Sequence, residues 1–188
     1  MILLINNHDS FTFNLFQAIE ELGETCVVIS RDDIQINLLE GLRPQGLIIS
    51  PGPGNPDQAP LVTQTIQAFA DSTPILGVCL GHQILGTCFG ARWGAAKEPT
   101  YGKATSVHHQ GKRLFQGISQ PMMAAKYHSL ALSTLPKGFE ALAWSDAGEL
   151  MAIGHGSLPV FGVQFHPESF MTPEGLTLLS HFCELCRG

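Results

Sequence analysis

The chain has 188 residues, 44% hydrophobic and 14% charged, with a net charge of −6. That composition supplies a substantial core and excludes a disordered chain. The acidic balance without a basic run excludes a nucleic-acid-binding surface, and no apolar stretch approaches the ~20 residues of a membrane span.

Met1–Ile5 is apolar on both faces, as a central parallel strand is. It lacks a charged leader and reads as the first strand, not a signal peptide. After the polar loop Asn6–Ser10, either Ser10 or Asp9 is placed to cap a helix from about Phe11 to Leu22, which Gly23 ends. Phe13, Phe16 and Ile19 have helical spacing there. Thr25–Ser30 reads as the second strand, and Asp32 or Asp33 opens a short helix over Ile36, Leu38 and Leu39. Gly46–Ser50 is the third strand. The alternation predicts an α/β fold with a doubly wound parallel sheet.

The third strand delivers Ser50-Pro51-Gly52-Pro53-Gly54-Asn55-Pro56 to its carboxyl end, where open α/β sheets place their sites. Prolines carry no N–H, so the only backbone donors of Gly52-Pro53-Gly54 belong to its glycines. A rigid loop with a bare glycine N–H is what an oxyanion hole requires. A helix from roughly Leu61 to Ala70 leads to the short apolar strand Pro74-Ile75-Leu76 and then to Gly77-Val78-Cys79-Leu80-Gly81-His82-Gln83. Ile84–Phe89 continues as the body of a helix. Cys79 thus sits on a sharp strand-to-helix turn, a nucleophile elbow with sulfur for oxygen. The turn needs small residues at 77 and 81, and the helix dipole favours a thiolate at 79.

Past Phe89 the period changes. Ala91–Trp93, Ala104–His109, Met122–Tyr127, Phe139–Ser145 and Leu150–His155 are β-prone and separated by turns. They read as antiparallel strands, some extending the main sheet and some forming a smaller one. Val160–Phe165 is a strand ending at His166-Pro167-Glu168, and Glu174–Arg187 is the closing helix behind Pro173. No repeat or linker divides residues 1–188, so one domain is expected.

The odd count of five cysteines, at 26, 79, 88, 183 and 186, points to reduced thiols in the cytoplasm. Cys183 and Cys186 lack a second ligand pair for zinc, and His108 and His109 point to opposite faces of a strand, so no metal site is read. His82 is expected to pack inside the elbow helix. Tyr127-His128-Ser129-Leu130 is a polar cluster after an apolar strand, by local sequence either a surface turn or a pocket wall.

A nucleophile needs a base, and the base needs an orienting group. His166 with Glu168 two residues on supplies both from one turn. Cys79, His166 and Glu168 form the candidate triad, with the N–H groups of Gly52 and Leu80 as the candidate oxyanion hole.

Ser50–Gly54, Gly77–Gln83 and Gly162–Ser169 resemble the three signatures of the class I glutamine amidotransferases, and the resemblance covers essentially the whole chain. Asn7-His8-Asp9-Ser10-Phe11-Thr12-Phe13-Asn14-Leu15 and Tyr127-His128-Ser129-Leu130 resemble the branch serving anthranilate synthase and aminodeoxychorismate synthase. The resemblance implies a flavodoxin-like sheet and L-glutamine as substrate. By that likeness Cys79 forms the γ-glutamyl thioester, His166 protonates the departing ammonia and Glu168 orients His166. Gly52, Pro53, Gly54, Gln83 and the backbone at Ser129 and Leu130 would line the glutamine pocket. No cofactor is implied for this chain. The implied partner is a synthase subunit that binds chorismate and magnesium.

Three positions depart from the family pattern. Asn6 stands where Asp is common, Tyr101 where His is expected, and Lys126 where Arg is usual. None is in the triad, and they are expected to lie toward the partner. The alternatives are a class I subunit serving guanylate, cytidylate, carbamoyl phosphate or imidazole glycerol phosphate synthesis, a cysteine peptidase or γ-glutamyl hydrolase, and a non-catalytic regulatory subunit.

Overall fold

All 188 residues are described in the computed structural model of the chain. In chain order the strands and helices begin β1 (Ile2–Asn6), α1 (Thr12–Glu21), β2 (Cys26–Ser30), α2 (Ile36–Leu42) and β3 (Gly46–Ile49). They continue with α3 (Pro60–Phe69), β4 (Ile75–Val78), α4 (Leu80–Cys88), β5 (Trp93–His109) and β6 (Met122–Leu132). β7 (Phe139–Ser145), β8 (Leu150–His155), β9 (Val160–Val163) and α5 (Gly175–Arg187) complete the chain.

The strands form one sheet of nine in the order β2-β1-β3-β4-β9-β8-β7-β5-β6. From β2 to β9 neighbours run parallel, and from β9 to β6 antiparallel. The parallel part is the flavodoxin-like order, whose switch point lies between β1 and β3. Alternation along β1 splits the core. Ile2 and Leu4 join Leu15 and Ile19 of α1 and Leu178 and Phe182 of α5 on one face. Leu3 and Ile5 join Val62 and Ile66 of α3 and Ile84 of α4 on the other. Strands buried on both faces read as unbroken apolar runs, which is why β1, β3 and β4 are legible.

Several expectations are corrected. There is no smaller second sheet. Ala91–Trp93 and Ala104–His109 are not two separate strands: β5 is a 17-residue ribbon from Trp93, irregular between Ala95 and Thr100 and again between Tyr101 and Lys103. Gly102, at φ 67°, occupies the second irregularity, where a bulge needs a left-handed residue. Neither Ser10 nor Asp9 caps α1. The Asp9 carboxylate instead accepts from the Phe11 N–H at 2.7 Å, shaping the turn before the helix. Asp32 and Asp33 belong to a 3-10 turn capped by Ser30, and α2 starts without a side-chain cap. Tyr127–Leu130 lies within β6, not in a turn after it. His108 and His109 do diverge: His109 is buried and stacked on Phe115, while His108 pairs with Asp146 at the surface.

Candidate active site

Cys79 stands between β4 and α4 at φ 54°, ψ −105°. A left-handed φ on a side-chain-bearing residue costs of order 1–3 kcal/mol and persists only where its surroundings impose it. Here the Cys79 N–H is tied to the Val163 carbonyl of β9 at 2.9 Å, and its carbonyl accepts from Gln83 N at 3.1 Å. The flanking glycines are sterically required. A Cβ on Gly81 would lie 2.1 Å from the Ile49 carbonyl oxygen of β3, as expected of a clash with a neighbouring strand. A Cβ on Gly77 would instead meet the Gly81 carbonyl oxygen at 2.5 Å, so this clash is within the turn itself. Gly81→Ala is expected to lose about 3 kcal/mol or more, since backbone cannot yield as a side chain does. The denaturant midpoint measures it, and an unchanged midpoint contradicts this packing.

His166 and Glu168 follow β9 and are almost wholly buried. Nδ1 and Oε1 are 2.6 Å apart. The backbone is clamped: His166 N donates to Ala125 O at 3.2 Å, and the Thr172 hydroxyl donates to the His166 carbonyl at 2.6 Å. Phe11 and Tyr127 present edge-on contacts to the imidazole at 5.4 and 5.0 Å. Burial alone would lower the basicity of this ring. Cys79 and the hydrogen bond that Nδ1–H donates to Glu168 outweigh it and hold His166 well above the ordinary histidine range. Nε2 makes no hydrogen bond within the chain. The resting pair is therefore one of proximity without a formed N–H···S bond, and such contacts commonly tighten only with substrate.

Gly52 follows β3 with its N–H unbonded within the chain. It lies on Asn7 and Leu80 so closely that a Cβ would be 2.7 Å from the Asn7 carbonyl oxygen. Asn7 clamps the loop: its N–H reaches Ser50 Oγ at 2.9 Å and its amide reaches Ser50 O at 2.8 Å. Leu80 is the first residue of α4, so its N–H has no intrahelical acceptor. A cavity of about 280 Å³ opens over these groups, lined by Gly52, Pro53, Gly54, Cys79, Leu80, Gln83, Ser129 and Leu130, with Asp9, Tyr101, Tyr127 and His128. His166 and Glu168 are reached from it through Cys79 and do not themselves line it.

The Gln83 Nε2 donates both to Leu130 O at 2.8 Å and to Gln164 Oε1 at 3.1 Å. Both its N–H bonds are spent inside the protein, leaving only its oxygen for a ligand. His128 Nδ1 donates to the same Leu130 carbonyl at 2.9 Å, which fixes the ring's tautomer. Burial pushes His128 down to about 3, helped by Lys126, and burial likewise pushes His82 down to about 3, helped by His128. His82 packs against Gly162, where a Cβ would lie 2.5 Å from its Nδ1.

Of the three departures, Tyr101 is exposed at the cavity mouth, and Asn6 accepts from Asp9 N and the Thr12 hydroxyl. Lys126 does not reach the surface. It is 2% exposed and paired with Glu149 at 3.0 Å, so its charge is answered inside the fold. Sequence reading missed Gln164, a fully buried residue whose Nε2 is 3.8 Å from Cys79 Sγ. No sequence signal places it there: β9 ends at Val163 and the chain bends at Gln164 and Phe165, so strand alternation does not carry to His166.

The family model described as glutamine amidotransferase class-I matches residues 3–186. The aminodeoxychorismate/anthranilate synthase component 2 of Bacillus subtilis is 47% identical, covering 100% of this chain and 97% of its own length. The aminodeoxychorismate synthase component 2 of Escherichia coli is 42% identical over 97% of this chain and 98% of its own length. The anthranilate synthase component 2 of Pseudomonas aeruginosa is 39% identical over 97% of this chain and 94% of its own length. Among solved structures, a putative GMP synthase subunit from Thermoplasma acidophilum superposes with a TM-score of 0.90 at 28% identity, covering 99% of this chain and 93% of that one.

Proposed function

The chain belongs to the class I glutamine amidotransferases, and from that premise we propose that it is the glutaminase subunit of a chorismate-using synthase, with Cys79, His166 and Glu168 as its catalytic residues. The observation that carries the reading is the strained elbow cysteine beside a Glu168-held imidazole at the floor of a polar cavity.

The chemistry follows from the groups present. Cys79 Sγ attacks the side-chain amide carbon of L-glutamine, and the carbonyl oxygen takes the negative charge. The N–H groups of Gly52 and Leu80 stabilise that oxyanion. His166 gives its Nε2 proton to the departing nitrogen, so ammonia leaves and a γ-glutamyl thioester remains. Water, deprotonated by His166, then attacks the thioester and releases glutamate and the thiolate. Because Gln83 offers only an acceptor, its partner on glutamine is an N–H, and the α-ammonium group fits. The backbone at Ser129 and Leu130 forms the facing wall.

The relatives at 39–47% identity are named for anthranilate and aminodeoxychorismate synthases, whereas the GMP synthase resemblance stands at 28%. We therefore assign ammonia delivery to anthranilate synthesis, aminodeoxychorismate synthesis or both, ahead of guanylate synthesis. No helix is long and apolar enough to cross a membrane. The five free thiols support a cytoplasmic setting. One test measures glutamate release by the chain alone, with its synthase partner, and with that partner plus chorismate. The rate is expected to rise at each step, by ~10²-fold or more if the partner sets the Gly52 peptide. Equal turnover in all three contradicts control by the partner. Identification of the aminated chorismate product decides the pathway.

A further inference from the structure

Gln164 enters none of the steps above, yet it is fully buried and a buried amide must place both N–H bonds and its oxygen. Its orientation can be deduced link by link. The Leu130 carbonyl can only accept, so the Gln83 atom 2.8 Å away is nitrogen. The Gln164 atom 3.1 Å from that nitrogen is then the amide oxygen. The Gln164 amide nitrogen is therefore the atom 3.8 Å from Cys79 Sγ, within the longer reach of a sulfur acceptor. The backbone holds the arrangement, with Gln164 N bonded to Met151 O at 2.8 Å and Cys79 N to Val163 O at 2.9 Å.

We propose that Gln164 is a catalytic residue whose side-chain N–H stabilises the Cys79 thiolate, held in that orientation by Gln83 and the Leu130 carbonyl. The proposal rests on the reading of Cys79 as the nucleophile. An ionised acceptor makes a hydrogen bond roughly twice as strong as a neutral one. The N–H thus favours sulfur as a thiolate twice in the cycle: before attack on glutamine, and again when the thioester collapses and sulfur departs with its electron pair. The same amide ladder joins the Leu130 wall of the cavity to the sulfur, so a ligand that displaces that wall also displaces the donor.

The decisive variant is Gln164→Met, which removes the N–H facing sulfur without adding a charge. It removes both polar contacts at similar volume. Gln164→Glu keeps the shape and the oxygen that Gln83 needs, but sets a carboxylate oxygen against sulfur, so repulsion adds to the lost donor. The readouts are kcat, KM and the pH dependence of Cys79 alkylation by iodoacetamide, whose midpoint belongs to the Cys79–His166 pair. Losing a donor to the thiolate moves that midpoint up, by about one pH unit for a charge-assisted bond. Both variants are expected to show this shift, with kcat about tenfold lower near neutral pH and KM changed less than about threefold. An unshifted alkylation profile in Gln164→Met, which loses the donor and gains no charge, overturns the proposal. The wild-type chain gives a readout that does not depend on either variant folding. The side-chain amide NMR signal of Gln164 is expected to titrate with the alkylation midpoint, and to lose that titration in Cys79→Ser. A pH-invariant signal overturns the proposal equally. If wild-type Cys79 resists alkylation and Cys79→Ser keeps glutaminase activity, the nucleophile assignment itself has failed; a reactive Cys79 with unshifted Gln164 variants removes only the role of Gln164.

Discussion

Cys79→Ser is expected to abolish glutamine hydrolysis, lowering turnover by ~10⁴-fold or more, as loss of a covalent nucleophile does. The substitution changes one atom in a position already forced to φ 54°, so the elbow and its bonds to Val163 and Gln83 should persist. A serine hydroxyl ionises far less readily than a thiol, and the alkoxide has no counterpart to the thiolate state that the imidazole of His166 favours. The folded stability should change by less than about 1 kcal/mol, which separates lost chemistry from lost structure. With the synthase partner present, synthesis from added ammonium salts should survive, since ammonia enters at the other subunit. The matching control is Cys88→Ser, a half-buried thiol on the far end of α4 that should leave turnover unchanged. Full glutamine-dependent activity in Cys79→Ser would refute the nucleophile assignment.

The elbow was legible because its chemistry is local. Gly77, Cys79 and Gly81 sit within one turn; the need for Gly77 arises inside that turn, and the need for Gly81 from the neighbouring strand that any such corner in a parallel sheet lies against. The loop at Gly52 was legible for a similar reason, as prolines on either side leave few donors. What stayed hidden depends on partners distant in sequence. The long β5 ribbon alternates poorly because much of it is exposed and Pro99 and Gly102 interrupt it, so its pairing with β6 could be seen only in space. Lys126 looks like a surface cation until Glu149, 23 residues later, is found beside it. Gln83 was read as a general polar contact for glutamine, but its N–H bonds are taken by Leu130 and Gln164, and only its oxygen is left. Capping was misread at Asp9 because a short carboxylate can serve the turn before a helix as well as the helix itself.

His166→Ala and Glu168→Gln are expected to differ in size and in kind. His166 moves a proton in both halves of the reaction, and general acid–base catalysis of this type is worth ~10²–10⁴-fold. Its removal should lower kcat by about 10³-fold at every pH. Glu168→Gln is gentler. The amide oxygen can still accept from Nδ1–H at the 2.6 Å position, and the amide nitrogen takes the place of Oε2, which has no partner. The tautomer is thereby kept and only the negative charge is lost, for a decrease of about tenfold. The pH profile carries the sharper test. The Glu168 carboxylate is one of the groups that raise the proton affinity of His166 against its burial. Without that charge the ring gives up its proton at lower pH, so the alkaline limb of kcat/KM should move down in Glu168→Gln. Measuring kcat/KM for glutamine from pH 6 to about 11, past the value of about 10 to which His166 is raised, shows the limb directly. An alkaline limb that stays in place, or a Glu168→Gln enzyme weaker than His166→Ala, would contradict the roles given to the two residues.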